Sequence, residues 1–185
     1  YLDSTPTHSY MKYLYKYPQS AYPYNDLVET NRKRSRQERE YELIDTGVFA
    51  EKRYFDVTIQ YAKASPEDLL IQIDIANRGD QPHLLHLLPT LLFRNTWSWR
   101  ENAPMPQLHE IEGSISQISA HTEGLGDYFL YCDQKPQLLF TENETNEERL
   151  FGRPNRSPYV KDAFHNYLIH GKKEAVSPEQ KGTKA

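Results

Sequence analysis

A mainly β, antiparallel β-sandwich is the fold class this sequence predicts, and three observations predict it. Two runs alternate strictly between apolar and polar residues. A short polar turn separates them, and further short apolar runs are spaced by Gly, Asn and Pro. Period-2 alternation puts every second side chain on one face, which is the pattern of a half-buried strand. Short strands joined by turns suit two packed antiparallel layers better than helices on a parallel sheet.

The elements follow in order. Residues 8–24, "HSYMKYLYKYPQSAYPY", are crowded with tyrosine, and Pro6, Pro18 and Pro23 interrupt any long regular element. This reads as an extended, docked segment with at most a short helix over 8–16. "NDLVETNRKRSRQERE" follows as a helix with Asn25 or Asp26 as its N-cap. In "RYFDVTIQYAK", Phe55, Val57, Ile59 and Tyr61 face one way; in "LLIQIDIANRG", Leu69, Ile71, Ile73 and Ile75 repeat the pattern. With "ASPED" between them they form an antiparallel hairpin, and Phe55, Val57, Ile59, Leu69, Ile71, Ile73 and Ile75 should line a core. "HLLHLLPTLLF" reads as a third strand with Pro89 at a bulge or edge. Weaker strand signals lie in 107–121, and clearer ones in "DYFLYCD" and "PQLLFTE". The expected organisation is one domain over 1–185. It comprises an N-terminal arm with short helices (1–40), sandwich strands (41–142) and an irregular C-terminal segment (143–185), with a short helix near "SPYVKDAFHNYL".

Bulk composition excludes several classes. The 185 residues are enough to bury a sizeable core. Mean hydropathy is −0.83, and no apolar run approaches the ~20 residues of a membrane-spanning helix, so no membrane partner is expected. A formal charge of −4 creates no field for nucleic acid. The bases Arg32, Lys33, Arg34, Arg36 and Arg39 are mixed with acids, Glu29 before them, Glu38 among them and Glu40 after them, the pattern of a solvated helix and loop. Cys132 is the single cysteine, which excludes an internal disulfide and fits a reducing, cytoplasmic compartment. The chain opens on "YLDSTP" without an initiator Met and closes on "SPEQKGTKA", so it reads as part of something longer.

Few residues announce chemistry. His83 and His86 in "HLLH" would point to opposite faces of a strand, and no His or Cys cluster completes a metal site. No GxSxG, P-loop or GxGxxG occurs. Carboxylate pairs of the kind that cleave glycosides could come from Glu110 and Glu112 in "HEIEG", or from Glu142, Glu144, Glu147 and Glu148 in "TENETNEERLFG". Acids in polar loops are usually only solvated. No catalytic residue, metal or cofactor is therefore assigned.

The best local signal is "TLLFRNTWSWRENAP", which carries both tryptophans, two positions apart, beside Arg94, Asn95, Arg100 and Asn102. In an extended segment Trp97 and Trp99 would share one side and form a broad aromatic surface. Sugars present apolar CH faces and a rim of hydroxyls, so flat rings beside Arg94 and Asn95 would suit an oligosaccharide. Trp, Tyr and Arg also dominate protein interfaces, so a domain contact ranks slightly ahead of the sugar. The surrounding polar groups are costly to bury unpaired, which places the motif at an end of the sandwich with at least one ring exposed.

Four segments carry a resemblance: "YLDSTPTHSYMKYLYKYPQ", "EYELIDTGVFAEKRYFDVTIQYAKASPEDLLI", "LPTLLFRNTWSW" and "FTENETNEERLFGRPNRSPYVKDAFHNYLIHG". They resemble large bacterial glucosidase-like proteins related to the mannosyl-oligosaccharide glucosidases of glycoside hydrolase family 63, over nearly all of the chain. The resemblance implies an N-terminal β-sandwich region that precedes an (α/α)6 helical barrel of the same polypeptide. The family's acid and base lie in that barrel, so none of them maps onto a residue here. The expected role is then a non-catalytic region that docks on the barrel and helps to shape its active site, with Arg94, Asn95, Trp97 and Trp99 at the substrate or domain interface. A free-standing carbohydrate-binding module is the alternative, and an autonomous hydrolase built on the acids above is a third.

Overall fold

The computed structural model describes residues 1–185. The chain is mainly β and antiparallel, with two four-stranded sheets, three short α-helices and no closed barrel. It divides into two compact units, Tyr1–His86 and Leu87–Ala185, each holding one sheet.

The first unit has strands β1 (Asp3–Ser4), β2 (Tyr10–Pro18), β3 (Tyr54–Ser65) and β4 (Asp68–Asn77), in the order β1-β2-β3-β4. The expected β3–β4 hairpin is present. Val57 pairs with Ile75, Ile59 with Ile73 and Tyr61 with Ile71, and the ladder shifts register between Lys63 and Ser65. The tyrosine-rich start is extended, as expected, but it is a full sheet strand and no short helix forms over 8–16. Tyr13, Tyr15 and Tyr17 alternate with Lys12, Leu14 and Lys16, and aromatics favour the pleat. Register places those three tyrosines opposite Ile59, Val57 and Phe55, so the rings extend the apolar face of β3. Tyr13 stacks on Tyr61 with centroids 6.4 Å apart.

That face is covered only in part. Phe55 and Val57 are buried, Ile59 and Ile73 are half-buried, and Leu69, Ile71 and Ile75 stay 48%, 48% and 41% exposed. The expectation that all seven line a core therefore holds only at the Phe55 end. The reason is position: β4 is an edge strand, with a neighbour on one side only. On the opposite face Asp56 is buried between two cations. Its Oδ1 accepts from Lys16 Nζ at 2.8 Å and its Oδ2 from Arg78 Nε at 2.6 Å. These bonds, led by that from Lys16, hold its carboxyl below the usual carboxylate range.

Helix α1 (Tyr24–Lys33) starts directly after Pro23 and has no side-chain cap, so neither Asn25 nor Asp26 caps it. Proline fixes φ near the helical value and lacks only a donor that a helix start leaves unpaired. The basic stretch at its end and beyond is engaged locally: Arg32 pairs with Glu29 at 2.8 Å, and the Arg34 guanidinium lies 5.1 Å from the Tyr41 ring centre.

The third strand expected over 83–93 does not form. "HLLHLLP" has no period-2 pattern, and Pro82 and Pro89 withhold two backbone donors. Only its end pairs: Leu91 exchanges both backbone hydrogen bonds with Ala185, and Leu92 bridges Lys184. The strand expected at "PQLLFTE" likewise shrinks to a single bridge between Thr141 and Lys184.

The second unit has β5 (Gln107–Ile111), β6 (Ser116–Thr122), β7 (Gly126–Cys132) and β8 (Lys181–Gly182), in the order β7-β6-β5-β8. Its core gathers Leu108, Ile118, Ala120, Phe140 and Ala185, with Leu91, Phe93, Leu130 and Leu138 packed around them. The C-terminal segment is more ordered than expected. It holds α2 (Glu147–Phe151), α3 (Ala163–His170) and β8. Helix α2 is capped by Asn146, which accepts from the Arg149 N–H, and α3 ends at left-handed Gly171. A Cβ on Gly182 would collide with the Thr141 backbone, so only glycine lets these two segments approach so closely.

Candidate functional site

The double-tryptophan segment is turned, and asparagines turn it. Asn95 Nδ2 donates to the Asn143 carbonyl at 2.9 Å, and Asn143 Nδ2 donates back to the Phe93 carbonyl at 2.9 Å. Asn95 Oδ1 also accepts the Ser98 N–H at 3.2 Å. This latch ends the extended run and starts a 3-10 turn over Trp97–Trp99. At three residues per turn, positions two apart diverge. The two indoles therefore do not form the shared surface an extended chain would give.

Trp97 points inward and is 6% exposed. Its Nε1–H donates to Glu144 Oε1 at 2.7 Å, which satisfies the one polar atom a buried indole carries. Trp99 points outward and is 66% exposed, with the Arg94 guanidinium 5.2 Å from its ring centre. That separation allows a cation–π contact, which restrains the ring without burying it.

Both rings line one open cleft of about 650 Å3. Arg100, Glu101, Asn102, Glu142, Glu144 and Arg156 supply its charged and amide groups. This volume lies within the roughly 300–1,000 Å3 of small-molecule sites. Asn102 shapes one wall with φ at 56°, a left-handed conformation that Asn tolerates better than most side chains.

Backbone bonds to the C-terminal segment hold the two central carboxylates. Glu142 N–H donates to the Tyr159 carbonyl at 2.8 Å, and Lys161 N–H donates to the Glu144 carbonyl at 3.0 Å. Glu142 Oε2 accepts the hydroxyl of buried Thr183 at 2.7 Å, and that hydroxyl oxygen accepts the Asn143 N–H at 2.7 Å. The arrangement can receive hydroxyl donors on carboxylates, offer guanidinium donors to acceptors and stack an apolar face on an indole.

The sequence-based candidates separate accordingly. Trp97 and Trp99 both line the cleft, Arg94 braces Trp99 from outside the lining, and Asn95 is a structural latch. Glu142 and Glu144 line the cleft, whereas Glu110 sits on β5 and Glu112 just past its end. Glu147 and Glu148 occupy the first turn of α2, where negative charge complements the helix. Sequence reasoning missed Thr183 and Arg156. Thr183 meets Glu142 and Asn143 some forty residues away, Arg156 only lines the cleft, and neither sits in a motif that could have flagged it.

Fold and site together define a mainly β chain that carries an open aromatic and carboxylate cleft. In sequence the chain is similar to uncharacterized protein YMR196W of Saccharomyces cerevisiae, at 37% identity over 219 aligned residues. The match covers 100% of this chain and 20% of that relative, so the chain spans about a fifth of its length. No family model matches the chain, and no solved structure gives a significant match.

Proposed function

We propose that this chain is a non-catalytic, β-rich region of a larger glucosidase-type glycoside hydrolase, in which its cleft helps to form the sugar-binding mouth. An (α/α)6 catalytic domain of the same polypeptide supplies the acid and base. The observation that carries this reading is Trp99, two-thirds exposed and braced by Arg94 at the edge of a cleft with carboxylate and guanidinium groups. An apolar ring left in water among hydrogen-bonding groups suits a pyranose, whose CH face stacks while its hydroxyls reach the rim. The resemblance of the four long segments and the relative about five times longer than the match both favour a region of a larger protein.

The same ring favours one second reading, a free-standing carbohydrate-binding module. The two readings part on kinetics. In the longer polypeptide, Trp99→Ala should lower kcat/KM for an oligosaccharide by about tenfold or more while the protein stays folded, because aromatic anchors carry much of a site's binding energy. Unchanged kinetics in a folded Trp99→Ala protein would remove the cleft from the active site. As a region of such an enzyme the chain belongs in the cytoplasm. Its lone thiol, Cys132, is half-buried, and burial pushes its pKa up, which keeps it protonated and inert there.

A further inference from the structure

We infer that Glu142 and Glu144 are the specificity-determining pair of the cleft, reading the hydroxyls of a neutral sugar and rejecting anionic ones; this rests on the carbohydrate reading above. Each carboxylate has one oxygen committed within the protein and one left over. Glu142 Oε2 is held by Thr183 Oγ1, and Glu144 Oε1 by the Trp97 indole, each at 2.7 Å. Glu142 Oε1 and Glu144 Oε2 make no hydrogen bond within the chain, and neither residue belongs to any of its ion pairs. Both side chains are half-buried and line the same cleft. Half-buried charges normally find a partner, because desolvation is costly. Here both side chains line the open cleft, and Thr183 and Trp97 hold them there as positioning residues.

The chemistry of the rest of the cleft selects the ligand. Arg100 and Arg156 line the same space, so an entering cation would meet two guanidinium groups. No set of three or more His, Cys, Asp or Glu side chains in the chain could hold a metal, whereas calcium takes 6–8 oxygen ligands. An anionic sugar meets three carboxylates, Glu101, Glu142 and Glu144, which outnumber the two guanidinium groups of the cleft. A neutral polyhydroxylated ring meets neither penalty. It donates to the free carboxylate oxygens in charge-assisted bonds, accepts from the guanidinium groups and stacks on Trp99.

Calorimetric titration of the 185-residue chain with maltose, cellobiose and mannobiose, with digalacturonate, and with calcium chloride tests the inference. The unaltered chain should bind at least one neutral disaccharide and neither of the other two probes. Glu142→Gln and Glu144→Gln should each weaken neutral-sugar binding by about tenfold and relax the rejection of digalacturonate. Gln keeps the shape and an acceptor for Thr183 or Trp97, and an unchanged circular dichroism spectrum establishes that each variant folds. Calcium or digalacturonate binding by the unaltered chain overturns the inference, as does glutamine-variant binding equal to wild type. If Trp99→Ala abolishes sugar binding while the glutamine variants do not weaken it, the pair loses its role and the carbohydrate reading stands. Absence of neutral-sugar binding by the unaltered chain also overturns the pair's role, and the kinetics of the longer polypeptide then decide the wider reading independently.

Discussion

Replacing Trp97 with phenylalanine keeps most of a buried aromatic ring and removes the N–H that meets Glu144 Oε1 at 2.7 Å. The variant removes one hydrogen bond to a charged group with a smaller loss of ring packing, and it leaves a half-buried carboxylate oxygen without its donor. Bonds of this kind contribute about 1.5–3 kcal/mol, so Trp97→Phe should lose about that much. Trp97→Ala removes the packing as well, and truncating a large buried aromatic costs about 3–5 kcal/mol. Trp99 is 66% exposed, and Trp99→Ala should change stability by less than about 0.5 kcal/mol. Urea titration followed by far-ultraviolet circular dichroism suits all three variants, because the signal does not rely on the altered indoles. The expected pattern is a shifted midpoint with an unchanged slope for the Trp97 variants, and superposition with wild type for Trp99→Ala. Equal destabilisation at both positions, or an unaffected Trp97→Phe, would refute the division between an anchoring and a presented indole.

Three further outcomes follow from packing and charge. Asp56 has a lowered folded-state pKa, so its contribution is present above the unfolded value of about 3.9 and is lost as pH falls through the folded one. Asp56→Asn should therefore cost about 1–3 kcal/mol at neutral pH and flatten the acid limb of a stability profile measured from pH 7 downward. Thr141 is fully buried and its hydroxyl has no partner, so Thr141→Val should leave the thermal midpoint unchanged or raise it, by up to about 1 kcal/mol in stability. Gly182→Ala should destabilise by about 1–3 kcal/mol, seen as a lower urea midpoint, because the new Cβ meets the Thr141 backbone.

How far the sequence could be read depends on whether the governing interaction was local. The β3–β4 hairpin was legible because two clean alternations flank a Ser-Pro-Glu-Asp turn. The extended course of β2 was legible, but Pro6, Pro18 and Pro23 mask the alternation of Tyr13, Tyr15 and Tyr17 with lysines and leucine that makes it a sheet strand. The failure of residues 83–93 to pair follows from missing donors at Pro82 and Pro89 and from doubled leucines that fit neither face. At the cleft, composition identified both tryptophans and the acids at 142 and 144. It could not show that Asn95 would turn the chain, since its partners are Ser98 and the distant Asn143. The Trp97–Glu144 and Thr183–Glu142 bonds span 47 and 41 residues, and no local pattern encodes such contacts.

The proposed division of labour puts sugar binding in the cleft and the chemistry in another domain. Hydrolysis of an aryl glucoside, measured side by side for the 185-residue chain and for the longer polypeptide, tests it most directly. Turnover is expected from the longer polypeptide and none from the chain alone. Turnover by the chain alone that disappears in Glu142→Gln or Glu144→Gln would contradict it and make the cleft itself the active site.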